Sequence, residues 1–137
     1  TKRIRENDVN DFVSPVSTIK IVRDKLLEIQ RKIAEGKNVI MEGRDIGTTV
    51  FPNADVKIYL DATPEERARR RVLQNKEKGI ETSYEEVLEN IKDRDYRDSN
   101  REIAPLRKAE DAIYIDSSEM TIEEVVDKVI DIINKKK

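Results

Sequence analysis

Two short apolar runs rich in β-branched residues, each leading into a helix-start signal, constrain the fold of this 137-residue chain more than any other feature. Val56-Lys57-Ile58-Tyr59-Leu60-Asp61-Ala62 runs into Thr63-Pro64-Glu65-Glu66, a hydroxyl residue with Glu three later and Pro at the first helical position. Ala112-Ile113-Tyr114-Ile115-Asp116 leads to Thr121-Ile122-Glu123-Glu124, the same capping pattern. Asn38-Val39-Ile40-Met41 reads as a further buried strand, and Ser83-Tyr84-Glu85-Glu86 as another helix start. Upstream, Ile19, Val22, Leu26, Ile29 and Ile33 recur at three- and four-residue steps, one face of a helix that Gly36 would close in a left-handed turn. In the last helix Ile122, Val125, Val129 and Ile133 share a face. The order helix, strand, strand, two helices, strand, helix is an α/β alternation, and strands this apolar suit a parallel sheet covered on both faces.

Composition removes whole classes of chemistry. The chain has no Cys and no His, which excludes disulfides, zinc thiolates, Ser-His triads, His bases and His-ligated metals. It has no Trp and six Phe and Tyr in all, too few for stacking along a single-stranded nucleic acid. Its 27 basic and 29 acidic residues give a net charge of −2, against a polyanion binder driven by bulk charge. No run approaches the roughly 18 apolar residues of a membrane span, and no apolar stretch follows the basic start, so a cytoplasmic protein is the expectation.

The charge is clustered, and three clusters could carry chemistry. Arg67, Arg69, Arg70 and Arg71 crowd the helix after Thr63. They are either a solvated basic face balanced by nearby Glu residues or a clamp for polyphosphate, to which guanidinium binds in bidentate fashion. Arg94, Arg97 and Arg101 stand at i, i+3 and i+7, with Asp98 four residues from Arg94. An exposed ion-pair ladder is the plain reading; the sharper one is that an anion between them relieves the mutual repulsion, and a phosphate would serve. Gly43-Arg44-Asp45-Ile46-Gly47-Thr48-Thr49 follows a predicted strand, where open α/β sheets bind ligands, although a polar turn would look the same. The P-loop pattern G-x-x-x-x-G-K-[ST] occurs nowhere in the 137 residues. Ser14, before Pro15, reads as a helix cap, and Arg23 as a solvated helix residue.

Taken together, the Gly43–Pro52 run, the strand Val56–Ala62, the basic helix Glu66–Arg71, the stretch Ile91-Lys92-Asp93-Arg94-Asp95-Tyr96-Arg97-Asp98-Ser99-Asn100-Arg101 with Ala104-Pro105-Leu106, and Asp116-Ser117 resemble the bacterial cytidylate (CMP) kinases. The resemblance implies an α/β chain with a partial P-loop nucleoside monophosphate kinase fold, a parallel sheet core flanked by helices with a helical lid, here without the P-loop strand and first helix. It divides the chain into a remnant of the monophosphate-binding domain with a connecting helix (1–35), core strands (36–62), a lid region (63–101), and a core strand with the C-terminal helix (102–137).

The resemblance also implies an activity, transfer of the γ-phosphoryl group of Mg-ATP to CMP or dCMP. By position, Ser14, Arg23 and Asp45 would read cytosine, Arg44 and Arg101 would hold phosphate, and Arg94 and Asp98 would meet the ribose hydroxyls. Arg67, Arg71 and Arg97 would neutralise charge on the transferred group, the main task of a protein in this reaction. Mg2+ would arrive with ATP, whose phosphate loop has no counterpart here. Such a chain alone is expected to be inactive. It is also expected to fold poorly or pair with another chain or its own N-terminal segment, because a central strand would be lacking. The alternative from another class is a non-catalytic CMP-binding or interaction module, which would bind CMP and not ATP.

Overall fold

The computed structural model describes residues 12, 13 and 15–136. Helix α1 spans Lys20–Ala34, a π-helical turn Ile46–Val50, strand β1 Ile58–Asp61, α2 Pro64–Glu77, α3 Tyr84–Asn100, strand β2 Ile113–Asp116 and α4 Ile122–Lys136. The alternation expected from the sequence is present. The Thr63 and Ser83 hydroxyls accept the Glu66 and Glu86 amides at 3.2 and 3.3 Å, starting α2 and α3. At Thr121 the box is reciprocal, the Glu124 amide donating to the hydroxyl at 3.2 Å and the Thr121 amide to the Glu124 carboxylate at 2.8 Å.

β1 and β2 pair in parallel with Ile58 opposite Ile113 and Asp61 opposite Asp116. Tyr59 and Tyr114 stack across the pair with ring centroids 6.1 Å apart. Ile115 is fully buried beneath them and forms the small apolar centre with Val50, Ala62 and Ala68. At the strand tips Ser117 ties the two ends together, its amide and hydroxyl both donating to the Asp61 carbonyl at 2.8 and 2.9 Å. The hydroxyl and carbonyl of Ser117 in turn accept from Arg70 of α2. α2 and α3 pack against each other and hold the arginine-bearing segments beside these tips.

Two expectations change. The run Asn38 to Met41 forms no strand among the described residues, and Ile40 is 96% exposed. A parallel strand is held by a neighbour's ladder, and neither described strand pairs with this run. Nor is the sheet covered on both faces: Leu60 and Tyr114 are exposed, as are Ile122, Val126 and Ile130 along α4. Val125, Val129 and Ile133 of the expected α4 face are the part-buried ones, whereas Ile122 of that set lies open. No helix of the described residues is long and apolar enough to cross a membrane.

Candidate functional site

Four guanidiniums and two carboxylates converge where α1, the π-turn and the end of α3 meet. Arg23 of α1 pairs directly with one Asp45 oxygen, and Arg101 stands 3.8 Å from the other. Asp98, on the last turn of α3, faces Arg44 at 3.3 Å, Arg94 at 3.7 Å and Arg101 at 4.0 Å. The groups thus form one chain of charges, Arg23–Asp45–Arg101–Asp98–Arg94, with Arg44 joining at Asp98. Asp98 is only 3% exposed and the Arg101 side chain 8%.

Local structure explains the convergence. The π-turn winds around the Asp45 carbonyl, which accepts the amides of Thr49 at 2.8 Å and Val50 at 3.2 Å. That tight winding holds the Asp45 side chain toward α1. Gly43 leaves room for the Ile46 side chain, which a Cβ there would meet at 2.9 Å and push aside. On the other side α3 stops at Asn100, and Arg101 is its extended C-cap residue. The chain then turns back through Ala104, whose φ of +49° is unusual for a residue with a Cβ. The turn aims the Ala104 carbonyl at Arg101 Nε, 2.6 Å away, and brings the Leu106 amide onto the Asp98 carbonyl at 2.8 Å.

The cluster is unfinished as a hydrogen-bond network. Arg94 Nε, Asp98 Oδ2 and Arg101 Nη2 are buried without a hydrogen-bond partner among the described residues. Their ionic neighbours, 3.3 to 3.8 Å away, attract them without hydrogen-bond geometry. Burial, then the facing charge of Arg44, lowers the pKa of Arg94 from its ordinary value. Burial and then Arg23 do the same to Arg101. In both, loss of water is the larger cause and the neighbouring cation the smaller. Alongside lies a cleft of about 320 Å³ lined by Pro15, Ser17, Thr18, Tyr96, Arg97, Asp98, Asn100 and Arg101.

The other candidates are placed differently. Arg67 lies against α3, its two terminal nitrogens on the Asp95 carboxylate at 3.0 and 2.5 Å and its Nε on the Ala62 carbonyl at 2.9 Å. The bonds to Asp95 raise its pKa. Arg69 and Arg70 pair with Glu66 at 3.5 and 3.0 Å, as a balanced helix surface would. Arg71 is exposed.

The expected stripe of Arg94, Arg97 and Arg101 does not hold as one helix face. Arg101 lies past the helix end, and Arg97 is exposed with its Nε 3.3 Å from the Asp93 carbonyl of its own turn. Asp98 takes the inner position between Arg94 and Arg101. Ser14 lies outside the described residues. Arg31 of α1, which donates to the Thr49 and Val50 carbonyls, is a contributor that motif reading did not single out, and the pairing of Asp95 with Arg67 shows only in their contacts. Among the described residues no group of three or more carboxylates could hold a metal ion.

Comparison with known proteins gives a consistent result. The family model described as cytidylate kinase matches residues 1–135. A cytidylate kinase of Caldicellulosiruptor saccharolyticus is 56% identical over 135 residues, covering 98% of this chain and 60% of the relative. One from Fusobacterium nucleatum is 54% identical over 135 residues and 62% of its length, and one from Lactobacillus johnsonii is 50% identical over 133 residues and 58% of its length. The chain therefore spans about 60% of the length of the curated relatives it matches.

Proposed function

The chain belongs to the cytidylate kinase family, and from that premise we propose that its Arg/Asp cluster binds CMP or dCMP as acceptor for the γ-phosphoryl group of ATP. The observation that carries the reading is the charge imbalance of the cluster. Four guanidiniums face two carboxylates, and three buried polar atoms among them lack hydrogen-bond partners. A phosphate monoester brings a charge of about −1.5 to −2 near neutral pH and three acceptor oxygens. It would offset the excess and supply the bond that Arg101 Nη2 lacks, while a ribose hydroxyl would accept from Arg94 Nε.

In this reading each group has a task. The Asp45 carboxylate accepts a hydrogen bond from the exocyclic amine of cytosine, which uracil replaces with a carbonyl oxygen. Arg23, already on Asp45, donates to the ring acceptors, and Ser14 is assigned to the same base edge by family position. Arg44 and Arg101 hold phosphate, while Arg94 and Asp98 meet the ribose hydroxyls, Asp98 accepting and Arg94 donating. Arg67, Arg71 and Arg97 flank the transferred group. Arg67 must give up part of its Asp95 pairing to reach it, whereas Arg71 and Arg97 are already exposed.

Such groups act by neutralising charge as the phosphoryl group moves. No side-chain base is needed, because the acceptor oxygen of CMP is already an anion. ATP enters with Mg2+ as the second substrate. Because the 137 residues contain no P-loop pattern, this chain by itself is expected to give negligible turnover.

Calorimetric titration of the chain with CMP, UMP and ATP tests the proposal. CMP should bind, and UMP should bind about tenfold or more weakly, as the loss of a hydrogen bond to a charged group dictates. Asp45→Asn should remove the preference. Equal binding of CMP and UMP, or none of either, would refute the reading. ATP binding without CMP binding would likewise reverse it.

A further inference from the structure

The loop that carries Arg44 and Asp45 is gripped at both ends by one helix. At its start, Arg23 of α1 pairs with the Asp45 carboxylate. At its end, Arg31 of the same helix donates from Nε to the Val50 carbonyl at 3.0 Å and from Nη2 to the Thr49 carbonyl at 2.9 Å. The last carbonyls of any helical turn lack intrahelical donors, and a cation placed there both bonds them and suits the local dipole. A π-turn is rarely stable on its own and persists where the surroundings hold it. Val50 is buried and Arg31 exposed, so the side chain spans the turn from the solvent side without belonging to the apolar centre. Only guanidinium fits the task well, because its planar fork reaches two successive carbonyls at once.

We infer that Arg31 is a positioning residue for base recognition: by fastening the Thr49 and Val50 carbonyls it holds the π-turn wound, and the wound turn keeps Asp45 aimed at the base edge of the nucleotide. The inference rests on the assignment of Asp45 to cytosine made above. Arg31 touches no substrate; it acts through the turn. If the turn loosens, Asp45 loses its angle, and the first property to fail is discrimination between cytosine and uracil. Affinity for a bare anion, held by Arg44, which precedes the wound residues Ile46–Val50, and by Arg101 past the end of α3, does not depend on that angle.

The test measures CMP, UMP and inorganic phosphate binding, with the melting temperature of each sample, for the chain and for Arg31→Met, Arg31→Lys and Asp45→Asn. Arg31→Met should reduce the CMP-over-UMP preference by about tenfold and leave phosphate binding unchanged. Arg31→Lys, whose ammonium can serve one carbonyl, should fall between, and it carries the comparison alone if Arg31→Met does not fold. If Asp45→Asn abolishes the preference while both Arg31 variants keep it, the positioning role is wrong and the cytosine reading stands. If Arg31→Met lowers the melting temperature and weakens all three ligands equally, Arg31 is only a structural support and the inference is overturned. If Asp45→Asn itself keeps the preference, the cytosine reading fails and this inference with it.

Discussion

Asp98→Asn is the sharpest probe of the cluster, because it removes one charge and almost no volume. Asp98 is 3% exposed and serves three guanidiniums at 3.3, 3.7 and 4.0 Å. Removing one partner of a buried ion pair costs about 3–5 kcal/mol. Here Arg44 and Arg94 are 37% and 41% exposed, so water already screens part of each attraction. The expected loss is therefore at or below the low end, about 2–3 kcal/mol. For a chain of this size that corresponds to a fall in Tm of roughly 10 °C.

The same substitution raises the excess of positive charge by one. Inorganic phosphate should then recover more stability in the variant than in the parent, since an anion that binds only the folded state stabilises it in proportion to its affinity. Thermal melts followed by circular dichroism, with and without phosphate, read both effects. A variant as stable as the parent without phosphate, or one no more responsive to it, would show that Asp98 is not the counter-charge of the cluster.

Three further outcomes follow from other contacts. Lys57 Nζ donates to both Asp111 oxygens at 2.9 and 2.8 Å, and this bond holds the Asp111 pKa below its usual value. A depressed carboxylate contributes stability above its unfolded pKa and loses it as pH falls through the folded one. Asp111→Asn should therefore lower Tm at pH 7, with the gap to the parent closing below about pH 4; a gap independent of pH would rule the pair out as its source. Thr121→Ala deletes one half of the reciprocal cap on α4 and should cost about 1 kcal/mol in denaturant unfolding, whereas an unchanged midpoint would mean the helix start is held by other contacts. Ala104→Gly removes the penalty of a Cβ at positive φ and should stabilise the chain by about 0.5–1 kcal/mol; destabilisation would show that the turn is not strained.

How much of this was legible in the sequence depends on how local each cause is. The three capped helix starts were readable because the cap and its Glu lie within four residues, and both bonded strands were readable from β-branched runs. The run around Val39 and Ile40 was not, because an apolar run becomes a strand only when a neighbour offers a ladder. The π-turn is not legible in the polar run Gly43–Thr49, because the Arg31 side chain that bonds its Thr49 and Val50 carbonyls comes from 18 and 19 residues upstream. Spacing brought Arg94, Asp98 and Arg101 together, but it could not show that Arg97 is exposed while Asp98 is buried, because burial is set by what packs on the helix. The Arg67–Asp95 pair joins residues on two helices, a relation that no periodicity encodes.

That last pair has a mechanical consequence. Arg67 holds Asp95 on α3 and the Ala62 carbonyl at the exit of β1 at the same time, and Glu65 and Lys92 join the same two helices at 3.1 Å. The helical hairpin is thus riveted near its root and free toward its tip around Gly79, where the backbone takes a positive φ. Asp95 lies one turn before Asp98 on α3, so the rivet also fixes the stretch of helix that presents Asp98 to Arg44, Arg94 and Arg101.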